Sequence, residues 1–433
     1  MNRAVEVNGR TLSWPRRPSV VVCFDGCDPA YIEAARAAEA IPAIDRMARD
    51  GFSAIAHAAM PTFTNPNNIS IVCGAPPAVH GVSGNYYLDR ETGREIMMTD
   101  ATPLRAPTIL AAFSQAGAGV VAITAKDKLR KAFAKGLRGI AFSAEHAASA
   151  SEAEHGITGV IDLVGRPEPD QYSADLSLFV LDAGIALLRA RRPDLMYLSL
   201  SDYVQHAHAP GTPEANAFMR EVDDRFAALA SLGATVGIVA DHGMTDMALP
   251  DGRPNVLYLG DRLDAAFGEG ATRVICPITD PFVRHHGALG GFVRVYLLRP
   301  GMDREAVLGF VRSLPGVGLA LVREEACARF ELPYDREGDI AVVGERGCAI
   351  GSRTVEHDLA QLAGARLRSH GSLAEQQVPF LLSRQLNPAY AAQPRPTRNG
   401  FAAEGPRKGG AATPPAALLR NFDIFEYVLN GTY

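Results

Sequence analysis

The stretch Ser19–Asp25, SVVVCFD, is a short apolar run that ends on a carboxylate. The same arrangement recurs twice. Leu195–Leu200 (LMYLSL) is followed by Ser201 and Asp202, and Asp202 opens an Asp-x-x-x-His pair with His206. Val236–Ala240 (VGIVA) is followed by Asp241, His242 and Gly243. Apolar runs of about four to eight residues read as buried strands. A carboxylate is costly to bury unpaired, yet three stand just beyond such runs. In open α/β sheets, ligands bind in the crevice outside the carboxyl ends of the strands. Hard oxygen ligands and imidazoles gathered there point to a metal site for two cations.

Around these runs, strand-like and helix-like segments alternate, the pattern of a mostly parallel sheet between helices. An alanine-rich helical stretch follows Asp25, breaks at Pro42 and ends near Gly51. Pro107–Gln115 reads as a helix and Gly119–Thr124 (GVVAIT) as a strand that runs into Ala125-Lys126-Asp127-Lys128. Residues 135–170 read as a loop-rich excursion. Helices are expected over Leu176–Ala190 and Pro213–Leu229. After His242 the character changes. Val256–Leu259, Phe292–Leu298, Val317–Val322 and Ile340–Val343 read as strands, and Met302–Leu314 as a helix. The expectation is an α/β core formed by 1–250 and 366–433, interrupted by a smaller α+β cap, 251–365. Ala391–Pro415 reads as an extended surface segment, and a helix is expected near Asn421–Leu429.

At 433 residues, 47% hydrophobic and 21% charged, the chain has ample material for such a core. A net charge of −5 argues against nucleic acid as a partner. No run is long enough to cross a bilayer, and the first residues lack the apolar core of a signal peptide. A cytoplasmic protein without a membrane partner is expected. The cysteines Cys23, Cys27, Cys73, Cys276, Cys327 and Cys348 form no CxxC pair and read as reduced, structural residues. A homodimer is compatible with the sequence.

The spacing of Asp202 and His206 places both on one face of a helical turn, able to share a cation. Asp241 and His242 are adjacent, and both converge only where a strand enters a turn. Two cations about 3.5–4 Å apart need six or more ligands. The candidates are Asp25, Asp202, His206, Asp241, His242 and one or more later histidines. Each has a plain alternative: an Asp after a strand is commonly a helix N-cap, and Asp-x-x-x-His arises often by chance. His57, His80, His208 and His357 read as structural or exposed, with His208 the best reserve ligand. Arg284-His285-His286-Gly287 in the cap reads as a surface or hinge feature, or as a contact to substrate through Arg284 or His285.

Met60–Gly74 is the second dense region. A helix is expected to begin just after Thr64, with Pro66 in its first turn. Thr64 is then either a plain N-cap or a hydroxyl held at the positive end of a helix, where anions bind. A metal contact to that oxygen would make it a nucleophile. Lys126 and Lys128, two apart, would face one way in an extended segment; the bland reading is a solvated turn.

Asp25, Thr62–Asn68, PPAVHGVSGN (Pro76–Asn85), Asp202 with His206, Asp241-His242-Gly243 and Ser369-His370-Gly371 resemble, in order, the motifs of the alkaline phosphatase superfamily. Within its nucleotide pyrophosphatase/phosphodiesterase branch the chain is most similar to the phosphonoacetate hydrolase family. The resemblance implies an alkaline-phosphatase-like core with a cap. It also implies two Zn²⁺, one held by Asp25, Asp241 and His242 beside Thr64, the other by Asp202, His206 and His370; Mn²⁺ or Fe²⁺ also suit these ligand types. The implied activity, part of phosphonate catabolism, is cleavage of the C–P bond of phosphonoacetate to acetate and phosphate through phospho-Thr64. Thr64, Asn85, Lys126, Lys128, His206 and His370 would contact this small-molecule phosphonate. Cys27-Asp-Pro-Ala-Tyr31 lacks the arginine of the Cys/Ser-x-Pro-x-Arg segment that carries a sulfatase's nucleophile and sits in the wrong place, which argues against sulfatase. The alternatives are a phosphodiesterase or nucleotide pyrophosphatase, with Phe63, Tyr86 and Tyr87 available for stacking, and a metal-dependent protein that binds phosphonate without turnover.

Overall fold

The structure, a computed structural model, describes residues 3–97, 100–278, 288–362, 364–391 and 418–432. Its centre is a seven-stranded sheet in the order Phe52–His57, Gln377–Leu382, Thr235–Val239, Ser19–Cys23, Leu195–Ser199, Val120–Thr124, Ile140–Ser143. All but Gln377–Leu382 run in one direction. Ser19–Cys23 is central, and every residue of it is buried. The same holds for Leu195–Ser199, Thr235–Val239 and Val120–Thr124. Strands covered on both faces read as continuous apolar runs rather than alternating ones, and this is why those four are legible in the sequence.

Helices cover the two faces. Pro29–Ala37 and Pro42–Asp50 each begin with proline at the first turn, where its missing N–H costs nothing. Asp175–Arg191 and Pro213–Ser231 pack against each other and against the sheet. One cluster, from Val5 to Leu429, joins sheet and helices.

Three expectations need correction. Residues 135–170 are not simply loop: Ile140–Ser143 is the edge strand of the main sheet, beside Val120–Thr124. Phe52–His57 and Gln377–Leu382 are also strands of that sheet, paired antiparallel. Val256–Tyr258 does not join the cap sheet; it pairs in parallel with Ala349–Gly351. The Ala391–Pro415 segment lies, from 392 on, outside the described residues.

Between Val239 and Gln377 the chain builds a second, antiparallel sheet, ordered Thr272–Ile275, Phe292–Leu297, Ile340–Gly344, Val317–Val322. It has its own core around Phe292, Val293, Val295 and Val342, which also takes in Met60 and Phe63. The segment carrying Thr64 is therefore wedged between the two sheets. The closing helix is Ile424–Asn430, entered through a tight turn at Asn421–Asp423. Among the described residues no helix is long and apolar enough to cross a membrane.

Candidate active site

The parallel strands all deliver side chains to one edge. Cys23 leads to Asp25, Ser199 to Asp202, Val239 to Asp241, Thr124 to Lys126 and Ser143 to Glu145. There a cavity of about 250 Å³ is lined by Asp25, Thr64, Asn85, Lys126, Lys128, Asp202 and His370, among others.

Asp25 is not a helix cap; Asp28 caps Pro29–Ala37. Asp25 is buried, and among the described residues its Oδ1 has no hydrogen-bond partner. Burial, then the neighbouring Asp202 and Asp241, push its carboxyl well above the usual range. Gly26 permits this crowding. Its φ is +66°, and a Cβ there would stand 3.0 Å from the Asp202 Cβ. Its N–H donates to Asp241 Oδ1 at 3.2 Å. Asp241 is fully buried and takes a further bond from Asn68 Nδ2 at 3.0 Å. Asn68 Oδ1 in turn accepts from Tyr197 and Ser199, each at 2.8 Å. Burial raises Asp241's carboxyl as well, against the pull of His242.

The three histidines share one arrangement. His206 Nδ1 donates to Arg368 O at 2.7 Å, His242 Nδ1 to Gly243 O at 2.8 Å, and His370 Nδ1 to Thr62 O at 2.7 Å. A carbonyl can only accept, so each Nδ1 carries the proton. Each Nε2 then presents a lone pair to the site, the tautomer a metal ligand requires. His206 Nε2 lies 2.9 Å and His370 Nε2 3.8 Å from Asp202 Oδ2. His242 Nε2 lies 3.3 Å from Asp25 Oδ1 and 3.7 Å from Asp241 Oδ2. The rings of His242 and His370 stack at 3.5 Å between centroids. Burial, then electrostatic opposition from the neighbouring His242 and His206 rings, hold His370 well below the ordinary imidazole range.

Two sets of donor atoms lie within 4.8 Å of one another: Asp202 with His206 and His370, and Asp25 with Asp202 and His242. Imidazoles turned toward clustered carboxylates, with Asp25 Oδ1 unpartnered among the described residues, form a site short of positive charge. Divalent cations fit it. Asp202 belongs to both sets, and Asp241 flanks the second through His242.

Thr64 is the first residue of the helix Thr64–Cys73, one residue earlier than expected. The cap position is Phe63, and no side chain caps the helix. The plain N-cap reading of Thr64 therefore fails. Its Oγ1 lies 3.1 Å from His242 Nε2 instead. Lys126 and Lys128 do not sit on an extended segment either. A helix begins at Asp127, fixed by its N–H donating to Glu145 Oε2 at 2.9 Å, with Lys126 at the cap and Lys128 in the first turn. Both still line the cavity. Lys126 Nζ donates to Gln171 O at 3.1 Å.

His57, His80, His208 and His357 stand apart from the donor sets. His80 is buried and bonded to Ser70 Oγ at 2.8 Å; His357 accepts from Ser352 N at 2.9 Å. His57 is half-buried, and the desolvation of its ring lowers its pKa. His208 belongs to neither donor set. Arg284 to Gly287 lie outside the described residues. Of the aromatic candidates for stacking, Phe63 lines the cavity but meets His370 edge-on. Tyr86 bonds Glu95 at 2.5 Å, and Tyr87 lies beneath Arg336. Glu145 and His146, also in the cavity wall, escaped the sequence reading. The four-residue run Ile140–Ser143 followed by Glu145 was their only signal.

A family model described as type I phosphodiesterase / nucleotide pyrophosphatase matches residues 19–353. Two crystal structures of phosphonoacetate hydrolase from Sinorhizobium meliloti 1021, one in complex with phosphonoformate and one with phosphonoacetate, are similar to this chain. Each has 47% identity, a TM-score of 0.89 and coverage of 99% of both chains. A phosphonoacetate hydrolase from Penicillium oxalicum is 57% identical over 42 residues, which is 9% of this chain and 58% of that relative's length. Murine ectonucleotide pyrophosphatase / phosphodiesterase 5, at 17% identity and a TM-score of 0.59 over 85% of this chain and 88% of its own, shares the fold.

Proposed function

The chain belongs to the phosphonoacetate hydrolase family, in the nucleotide pyrophosphatase/phosphodiesterase branch of the alkaline phosphatase superfamily, and from that premise we propose that it cleaves phosphonoacetate to acetate and phosphate through a phosphothreonine on Thr64. The observation that carries this reading is the Thr64 hydroxyl held 3.1 Å from His242 Nε2, in a cavity that Lys126 and Lys128 also line.

Two divalent cations, zinc by ligand type, would be held by Asp202, His206 and His370 and by Asp25, Asp241 and His242. When bound, they supply positive charge for the phosphonate oxygens and lower the pKa of the Thr64 hydroxyl. Thr64 Oγ1 gives up its proton to solvent and attacks phosphorus. The Oγ–P bond forms as the C–P bond breaks, and the electron pair passes to the methylene carbon. That carbanion is stable only as the enediolate of acetate, so charge flows into the carboxylate. Lys126 and Lys128 hold the carboxylate while this happens, acting as fixed cations aimed at developing charge. A proton from solvent completes acetate. Asn85 donates to a phosphoryl oxygen. Water then attacks phospho-Thr64, the Oγ–P bond breaks and phosphate leaves.

A phosphate-release assay across phosphonoacetate, aminoethylphosphonate and a phosphodiester, with and without chelator, tests the assignment. Phosphonoacetate should be the preferred substrate and chelator should stop its turnover. Preference for the diester would replace this reading with a phosphodiesterase.

The lysines give a sharper check on substrate class. Lys126→Ala and Lys128→Ala should each lower kcat/KM for phosphonoacetate by about 10²–10³. Hydrolysis of an aryl phosphate monoester, which has no carboxylate and a good leaving group, should change by less than about threefold. Equal losses on both substrates would show that the lysines serve the phosphoryl end instead.

A further inference from the structure

Arg294 lies on the cap strand Phe292–Leu297, is fully buried and does not line the cavity. Its Nε meets Glu337 Oε1 at 2.7 Å, and Glu337 is equally buried. Its Nη2 reaches out of the cap and donates to Ser83 twice, to the carbonyl at 2.9 Å and to Oγ at 3.0 Å. Ser83 is two residues before Asn85, whose side chain lines the cavity.

The segment between them is pressed flat against the cap. Asn85 N donates to Pro277 O at 2.6 Å. A Cβ on Gly84 would stand 2.5 Å from the Pro277 Cβ, so only glycine allows the approach. On the far side of the turn, Arg336 Nη1 donates to Gly81 O at 2.5 Å. The turn bearing Asn85 is thus built by the core sequence and held by the cap.

A buried ion pair is a weak stabiliser compared with two apolar side chains of the same volume. This one is not even fully satisfied: among the described residues Arg294 Nη1 and Glu337 Oε2 have no hydrogen-bond partner. What the guanidinium offers that a methionine could not is a rigid, directional fork, and the fork is spent on Ser83. We propose that Arg294 is a positioning residue that fixes the Ser83–Asn85 turn from the cap sheet and so aims the Asn85 amide at the substrate's phosphoryl group. The inference rests on the reading of Asn85 as a phosphoryl contact.

A kinetic double-mutant cycle tests it, with kcat/KM for phosphonoacetate measured for Arg294→Lys, Asn85→Ala and the two together. Lysine keeps the charge beside Glu337 and loses the fork. Arg294→Lys should cost about tenfold when Asn85 is present and less than about twofold when Asn85 is already alanine. The thermal midpoint should fall by the same amount in both backgrounds, since a purely structural effect does not depend on Asn85. If Arg294→Lys does not fold, Arg294→Gln with Glu337→Gln removes both buried charges together and enters the same cycle. Equal losses in both backgrounds would overturn the proposal and leave the Asn85 reading intact. An Asn85→Ala enzyme with unchanged kcat/KM would overturn both.

Discussion

Thr64→Ala should cut phosphate release by about 10³-fold or more while the protein stays folded, keeps its metal and still binds phosphonoacetate. The size follows from the role: removing a nucleophile costs far more than removing one stabilising donor. The selectivity follows from the geometry. Thr64 opens the helix Thr64–Cys73 without capping it. Alanine is the better helix former at such a position, because threonine loses rotamer freedom there. The only side-chain hydrogen bond described for Thr64 is the one to His242 Nε2. His242 keeps its orientation without it, through Gly243 O. Three quantities decide the matter: phosphate release, bound metal per chain, and the calorimetric affinity for phosphonoacetate. Loss of the first alone supports nucleophilic attack by Thr64. Turnover at the wild-type rate in Thr64→Ala would remove the nucleophile assignment, and loss of metal together with activity would recast Thr64 as a ligand only.

The candidate site was legible where burial left a simple trace. Strands covered on both faces become unbroken apolar runs, so Asp25, Asp202 and Asp241 stood out as carboxylates at their ends. The edges of the sheet left weaker traces. Phe52–His57 alternates, Ile140–Ser143 has four residues, and Gln377–Leu382 contains Pro379, which argues against a sheet interior. Pro379 is tolerated although neighbours flank the strand on both sides. The helix at Thr64 starts one residue earlier than expected, and at Lys126–Lys128 a helix, Asp127–Ala134, begins where an extended segment or a turn was expected. Spacing fixes a helix start poorly. Here Glu145, from a distant strand end, sets the start at Asp127. Tertiary contacts of that kind, like the reach of Arg294 to Ser83 across 211 residues of sequence, have no local signature.

Asp202→Asn is the second change expected to have a large effect, and its sign differs between metal content and the stability of the metal-free protein. Asp202 is shared by both sets of donor atoms, whereas Asp25 belongs to one. Replacing Asp202 should therefore remove a ligand from one cation and a neighbouring negative charge from the other, lowering bound metal at both positions, and Asp25→Asn should lower it at one. Activity should fall by at least about 10²–10³, the cost of losing one fixed charge at the reacting centre, and by more where both cations are lost. Folding should not suffer. The Asp202 carboxylate occupies the cap position of Tyr203–Ala207 but makes no capping bond. Asparagine keeps the shape and can donate to His206 Nε2, which lies 2.9 Å from the present Oδ2. The change also removes the carboxylate that crowds the two buried ones, Asp25 and Asp241. Repulsion from Asp202 is, after burial, the largest influence raising Asp25. In the metal-free protein that repulsion is unrelieved, so the metal-free Asp202→Asn variant should unfold at the same temperature as metal-free wild type or higher. With metal present, wild type should gain the larger stabilisation, because ligand binding to the native state raises stability by mass action. Metal analysis and thermal unfolding, each with and without chelator, read both effects. A full metal complement in Asp202→Asn would break the link drawn here between this carboxylate and the two cation positions.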